Sequence, residues 1–357
     1  MSALMLFCRP GFEKECMAEI TELAGSKEAY GWASIEMNSG FVVFECEQAH
    51  SLYSHCDNLV FSRDVWPISS RLSDLDPQDR ISPIIASVDQ LMKEKGVKSF
   101  GDVSTEHAEG DDYRATAKFA GKFVHPVRQA LRKLGWLSKK EDPSKPMLRL
   151  FFKDSTQVLV GADKPRLRAK WPMGIARLRF PAAAPSRSTL KLEEAFGFFL
   201  GDDWREQLSH CRTGVDLGAS PGGWTWQLVN QGLYTYAIDN GPMNKQLMDS
   251  GLVEHVAADG FTWKPPLMVD WLVCDMIEKP GRVAQLMYEW LHNRQAKYAI
   301  FNLKLPMKKR FQEWQDIKAQ LDIAKTGQYP KAVMKAKHLY HDREEITVFL
   351  DLGNQNG

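Results

Sequence analysis

Thr213-Gly-Val-Asp-Leu-Gly-Ala-Ser-Pro-Gly-Gly-Trp-Thr-Trp-Gln-Leu228 packs three structural signals into sixteen residues. Val215-Asp216-Leu217 reads as a short buried strand. A turn follows with glycines at 218, 222 and 223 and a proline at 221. From Trp224 the pattern becomes an amphipathic helix that stops at Gly232. Strand, glycine turn and helix make the opening unit of an open parallel sheet, whose ligands lie beyond the strand ends. Glycine has no Cβ, so a ligand can rest against the backbone. The helix start adds N–H groups with no intrahelical partner. The spacing is not G-x-G-x-x-G, and Pro221 removes an N–H that a pyrophosphate cradle would use. Both features disfavour a nicotinamide oxidoreductase.

Downstream, apolar runs repeat and several end in an acid or a lysine. Tyr234–Asp239, Glu254–Ala257 before Asp259, and Asp270–Cys274 before Asp275 read as strands, as does Lys297–Leu303 before Lys304. Helix Ser188–Phe199 precedes the glycine turn and helix Lys308–Leu321 follows Lys304. Ile346–Leu350 reads as a last, antiparallel strand. The class is α/β, with a doubly wound domain over residues 186–357.

Upstream, residues 1–165 mix strands and helices in α+β order. Strands are expected at Ala3–Cys8, Gly40–Glu45, Asn58–Arg63, Phe100–His107, and as a pair at Met147–Phe152 and Gln157–Val160. Helices are expected at Glu13–Leu23, near Gln48–Cys56, and at Pro83–Lys95 and Ala117–Leu134. Residues 166–185 read as a basic linker.

The 357 residues carry a formal net charge of +1, so nucleic-acid binding has to come from local patches rather than a global field. Two basic segments qualify. Arg128, Arg132, Lys133, Lys139 and Lys140 surround Trp136, and Lys164–Arg179 alternates basic residues around Trp171. They suit phosphates and an unpaired base. They equally suit a solvated face with both tryptophans packed inward. The six cysteines show neither C-x-x-C nor a metal spacing, which fits buried thiols in a reducing cytosol. Without a membrane-length apolar run or a signal core, a cytoplasmic protein, and a monomer, is expected.

Asp216-Leu-Gly-Ala-Ser-Pro-Gly-Gly223 resembles the first motif of S-adenosylmethionine-dependent methyltransferases, in particular the RNA ribose 2′-O group with its Lys-Asp-Lys-Glu set. Pro185-Ser-Arg-Ser-Thr-Leu-Lys-Leu-Glu-Glu194 is similar to the segment carrying that group's first lysine, here Lys191. Leu272-Val-Cys-Asp-Met276 carries Asp275, and Phe301-Asn-Leu-Lys-Leu305 carries Lys304. In Arg343-Glu-Glu-Ile-Thr-Val348 two acids compete. Glu345, directly before the strand as in that group, is preferred to Glu344. Together with Arg9-Pro-Gly-Phe-Glu13 and Leu339-Tyr-His-Asp-Arg-Glu-Glu345, these segments resemble the bacterial family of 23S rRNA cytidine 2′-O-methyltransferases over essentially the whole chain. Phe7–Cys16 is similar to the opening of THUMP-type RNA-binding domains.

The resemblance implies a Rossmann-like catalytic domain, S-adenosylmethionine as cofactor, 23S rRNA as partner and no metal. It implies Lys304 as proton acceptor, with Lys191, Asp275 and Glu345 orienting it and the ribose. Ser220, Pro221, Gly222 and Gly223 would line the methionine part, with Trp224 beside them. Asp239 would accept from the ribose diol and Asp259 from the adenine amino group. Asp275 would also touch the cofactor, and Ser188 would reach its carboxylate. Asp216 is as well explained as a buried structural acid. A methyltransferase of cap or tRNA would use the same tetrad, and a non-catalytic RNA-binding module would have no use for it.

Overall fold

The computed structural model describes residues 2–321 and 329–353. The chain divides into two units, Met1–Ile175 and Ala176–Gly357, each built on a seven-stranded mixed sheet.

The first unit runs β1 (Ala3–Phe7), α1 (Glu13–Ser26), β2 (Gly31–Ile35), β3 (Phe41–Cys46), α2 (Ala49–Tyr53), β4 (Asp64–Leu72), α3 (Ile81–Lys95), β5 (Asp102–His107), α4 (Arg114–Lys133), β6 (Met147–Phe152) and β7 (Val158–Ala162). Its sheet order is β2-β3-β1-β4-β7-β6-β5, antiparallel except for the β5–β6 pair. Ile84, Val88 and Leu91 of α3 and Val127 and Leu131 of α4 recur at helical spacing. They meet Val103, Leu148, Leu150 and Val160 from the sheet, one apolar face against another. Inside this unit the fully buried Arg149 donates to Asp64, to Glu106 Oε1 at 2.5 Å and to Asp163 Oδ2 at 3.4 Å. Burial raises the Glu106 carboxyl to about 7 and raises Asp64 as well, and the Arg149 charge opposes both shifts.

One expected strand is absent. Asn58–Arg63 leaves a short 3-10 turn and runs on irregularly, because its N–H groups find other partners. Val60 and Phe61 donate to the Glu19 carboxylate on α1 at 2.7 and 2.8 Å. The run is apolar because Leu59, Val60 and Phe61 plug the core, and the strand begins only at Asp64. Pro67 hides that strand in the sequence, since proline cannot donate to a ladder.

The second unit runs α5 (Thr189–Phe199), α6 (Trp204–Ser209), β8 (Thr213–Leu217), α7 (Gly223–Asn230), β9 (Tyr234–Ile238), α8 (Lys245–Met248), β10 (Val253–Val256), β11 (Val269–Cys274), α9 (Pro280–His292), β12 (Ala296–Lys304), α10 (Arg310–Gln320), β13 (Val333–Lys337) and β14 (Glu345–Asp351). The order is β10-β9-β8-β11-β12-β14-β13. The first five strands are parallel, and β14 is antiparallel to both β12 and β13. This is the doubly wound, Rossmann-like arrangement expected. Chain progression reverses between β8 and β11, so the crevice beyond their C-terminal ends is the binding position of such a sheet. Phe196 of α5, Trp204 of α6, Trp224 and Leu228 of α7 and Trp271 of β11 form one buried, largely aromatic layer.

Residues 166–175 pack with the first unit, and Ala176 onward belongs with the second. No helix among the described residues is long and apolar enough to cross a membrane.

Candidate active site

The glycine turn fills the gap between β8 and α7. Gly218 and Ala219 donate their N–H groups to Ile238 O at 2.9 and 3.3 Å, and Ser220 N donates to Asp239 Oδ2 at 3.0 Å. The turn is thus tied to the end of β9. Gly218 and Gly222 have φ of +77° and +113°, which favour glycine. A Cβ at Gly218 would stand 2.5 Å from Met276 Cγ, and one at Gly223 would stand 2.1 Å from Ser188 Oγ. Glycine therefore lets Met276 and Ser188 close in on the turn. Asp216 lies behind it, fully buried, accepting from Thr225 Oγ1 at 2.7 Å. Burial pushes its carboxyl up to about 7, against the Thr225 hydrogen bonds. It is a structural acid.

Helix α7 positions α5. Trp224 Nε1 donates to Ser188 O at 3.0 Å and Gln227 Nε2 to Thr189 O at 3.2 Å, both at the start of α5. Lys191 follows within the first turn, between the buried Leu190 and Leu192. One turn further, the Glu194 carboxylate accepts from Tyr340 N at 2.8 Å, from His341 N at 2.9 Å and contacts His341 Nδ1 at 2.6 Å. That links α5 to the segment leading into β14, whose first residue is Glu345.

Four side chains from four elements meet there. Lys191 Nζ pairs with Glu345 Oε1 and lies 3.2 Å from Asp275 Oδ2. Lys304 Nζ pairs with Asp275 Oδ1 and lies 3.8 Å from Glu345 Oε1. Strand pairing accounts for part of this, because Lys304 and Glu345 are direct partners across β12 and β14. Burial acts to lower the Lys191 pKa, but the charges of Asp275 and Glu345 outweigh it and hold the ammonium above its ordinary range. Burial likewise acts to raise Asp275, and the two lysine charges outweigh it, so this carboxyl lies below the usual range.

Asn302 is a member of the site that the sequence reading does not single out. Fully buried, it donates from Nδ2 to Asp275 Oδ1 at 2.9 Å and accepts from Thr347 Oγ1 at 2.8 Å. Thr347 also lies 2.9 Å from Asp342 Oδ2, and Leu339 N donates to the same oxygen at 3.0 Å. Burial raises Asp342 well above its ordinary value, and the Glu345 and Glu194 charges add to the shift. Only the alternation of β12 and β14 hints at this chain, since Asn302 and Thr347 are paired across the two strands.

Of the remaining expected residues, Ser188 lies against Gly223, and Ser220 Oγ donates to Pro242 O at 2.8 Å. The Ser220–Pro221 peptide is cis. The Trp224 indole is buried in the aromatic layer, so this residue faces the turn only through its backbone. Asp239 Oδ1 accepts from Gly241 N at 2.7 Å, leaving further lone pairs on the carboxylate. Asp259 is exposed beyond β10 and accepts from Phe261 N at 2.9 Å. Glu344 points elsewhere, to Arg310.

The basic segments divide into structural and exposed members. Arg168 is held by Asp163, at distances of 2.8 and 2.9 Å, and donates to Lys145 O. Arg128 pairs with Asp102. Arg132, Lys133, Lys139, Lys140, Arg166, Lys170, Arg177 and Arg179 are exposed. Trp136 packs against the core of the first unit, while Trp171 is half-buried with Lys170 Nζ 5.3 Å from its ring.

Three family models match successive parts of the chain. They are the RlmM ferredoxin-like domain over residues 1–66, the N-terminal model of ribosomal RNA large subunit methyltransferase M over 79–163, and the FtsJ-like methyltransferase over 184–355. Among curated relatives, ribosomal RNA large subunit methyltransferase M of Photorhabdus asymbiotica is 45% identical, covering 98% of this chain and 96% of its own. The protein of that name from Histophilus somni is 46% identical over 99% of this chain and 100% of its own. The one from Haemophilus influenzae is 45% identical over 99% of each.

Proposed function

Because the chain belongs to the ribosomal RNA large subunit methyltransferase M family, a family of rRNA-methylating enzymes, we propose that it methylates the ribose 2′-OH of a cytidine in 23S rRNA with Lys191, Asp275, Lys304 and Glu345. One observation carries the reading. Two amines and two carboxylates, separated by up to 154 positions in the chain (345 − 191), converge beside the glycine turn.

The residues suit S-adenosylmethionine. Positions 218, 222 and 223 of the turn carry no Cβ, the start of α7 offers N–H groups to a carboxylate, and Asp239 offers lone pairs to a diol. When bound, this group supplies an electrophilic methyl on a sulfonium. The protein has to aim the 2′-oxygen and remove its proton. Lys191, held charged by two carboxylates, keeps its proton and stabilises negative charge on the oxygen. Resemblance to the ribose 2′-O group assigns Lys304, which meets the same two carboxylates, as the amine that accepts one. Asp275 bridges the two lysines, and Asn302 fixes its orientation from behind. Titration of the purified protein should give saturable binding of S-adenosylmethionine and none of NAD. Binding of NAD in place of S-adenosylmethionine would reverse the assignment.

The rRNA is held by the exposed basic residues, not by Arg168. Arg166→Glu, Arg177→Glu and Arg179→Glu combined should weaken binding to 23S rRNA and flatten its salt dependence. The expected change in slope is roughly 0.7–0.9 for each phosphate that is no longer neutralised. An unchanged slope would return these residues to a solvated surface.

A further inference from the structure

Ile277 and Met307 are the two most exposed large hydrophobic side chains among the described residues, at 91% and 87%. Ile277 follows Asp275 by two positions and Met307 follows Lys304 by three. Chain length therefore confines their Cα atoms to within roughly 7 and 11 Å of those of Asp275 and Lys304. Asp275 and Lys304 leave the C-terminal ends of the adjacent parallel strands β11 and β12. Two highly exposed apolar side chains thus lie near the tetrad, while Leu267 and Met268, also exposed, precede β11 at its opposite end.

We infer that Ile277 and Met307 form an apolar clamp on the base of the nucleotide being methylated. The inference rests on the ribose reading above. A 2′-hydroxyl reaching Lys304 brings its base along, because the base is attached to the neighbouring ring carbon. A base taken out of its stack exposes two apolar faces and gains from apolar contact. Methionine adapts its shape and contacts aromatic rings favourably through sulfur. Lys308 and Lys309, both exposed, follow Met307 directly and suit the phosphates on either side of such a nucleotide. Neither clamp side chain has a hydrogen-bond donor and Met307 offers only a weakly accepting sulfur, so the clamp holds a base without identifying it.

The test is the double variant Ile277→Ser/Met307→Ser, assayed on an unmodified 23S rRNA transcript. Both side chains are exposed, so the fold should tolerate the change. The expected result is a loss of at least tenfold in kcat/KM for RNA, with S-adenosylmethionine affinity unchanged. The conservative Ile277→Leu/Met307→Leu pair should restore most of it. An RNA that keeps the ribose but lacks the base at the methylated position should lower kcat/KM for the wild type and leave the double variant little further affected. A wild-type kcat/KM in the double variant overturns the clamp. So does a parallel loss of S-adenosylmethionine affinity, which would assign the pair to the cofactor. Failure of the ribose reading is separate, because it would appear as methyl label on a base atom in the wild-type product.

Discussion

Lys304→Ala should lose methyl transfer by about 10²–10⁴-fold or more, the range expected when a positioned acid–base group is removed. S-adenosylmethionine binding should stay close to wild type. The variant removes the amine that meets Asp275 and faces Glu345. Lys191 stays paired with Asp275 and Glu345, whose charges raise its pKa, so it is a poor substitute. The glycine turn and Asp239 lie on other elements and are fastened by their own hydrogen bonds, so the cofactor side should be spared. Single-turnover assays on 23S rRNA, beside a binding titration, separate the two effects. Substantial turnover in the variant would remove Lys304 as the base.

The second large effect concerns stability. Arg149→Met should destabilise the first unit by about 3–5 kcal/mol, the cost of breaking a buried ion pair by removing one partner. Three carboxylates surround this guanidinium, and only Asp163 keeps another arginine, Arg168. The deficit should also depend on pH. Without Arg149, the folded-state pKa values of Asp64 and Glu106, already raised by burial, rise further. Between the ordinary carboxylate range and these raised values the folded state binds more protons than the unfolded state, so stability falls as pH increases. The variant should therefore lose less at pH 5 than at pH 8. A deficit below about 1 kcal/mol, or one that is flat across that range, would contradict a network held together by this guanidinium.

The second unit is the more legible half of the sequence. Its glycine turn imposes backbone constraints that few alternatives satisfy, and buried parallel strands leave continuous apolar runs such as Trp271–Cys274. Besides β4, the strands that the sequence does not announce are β2 and β13, edge strands with largely exposed side chains, so alternation is weak there. Asn58–Arg63 imitates a strand because burial and strand pairing leave the same apolar signature, and only the Glu19 carboxylate distinguishes them.

The tetrad is legible through resemblance to known segments. The residues behind it are not, because Asn302, Thr347 and Asp342 become partners only once β12 and β14 pair. Arg168 shows the converse. Among alternating basic residues it looks like a phosphate ligand, yet it serves Asp163.

Supplying S-adenosylmethionine with a labelled methyl group to the protein and unmodified 23S rRNA, then digesting the RNA to nucleosides, tests the proposed chemistry most directly. The label should appear in 2′-O-methylcytidine from a single position. Label on a base atom, or on the ribose of another nucleoside, would contradict it.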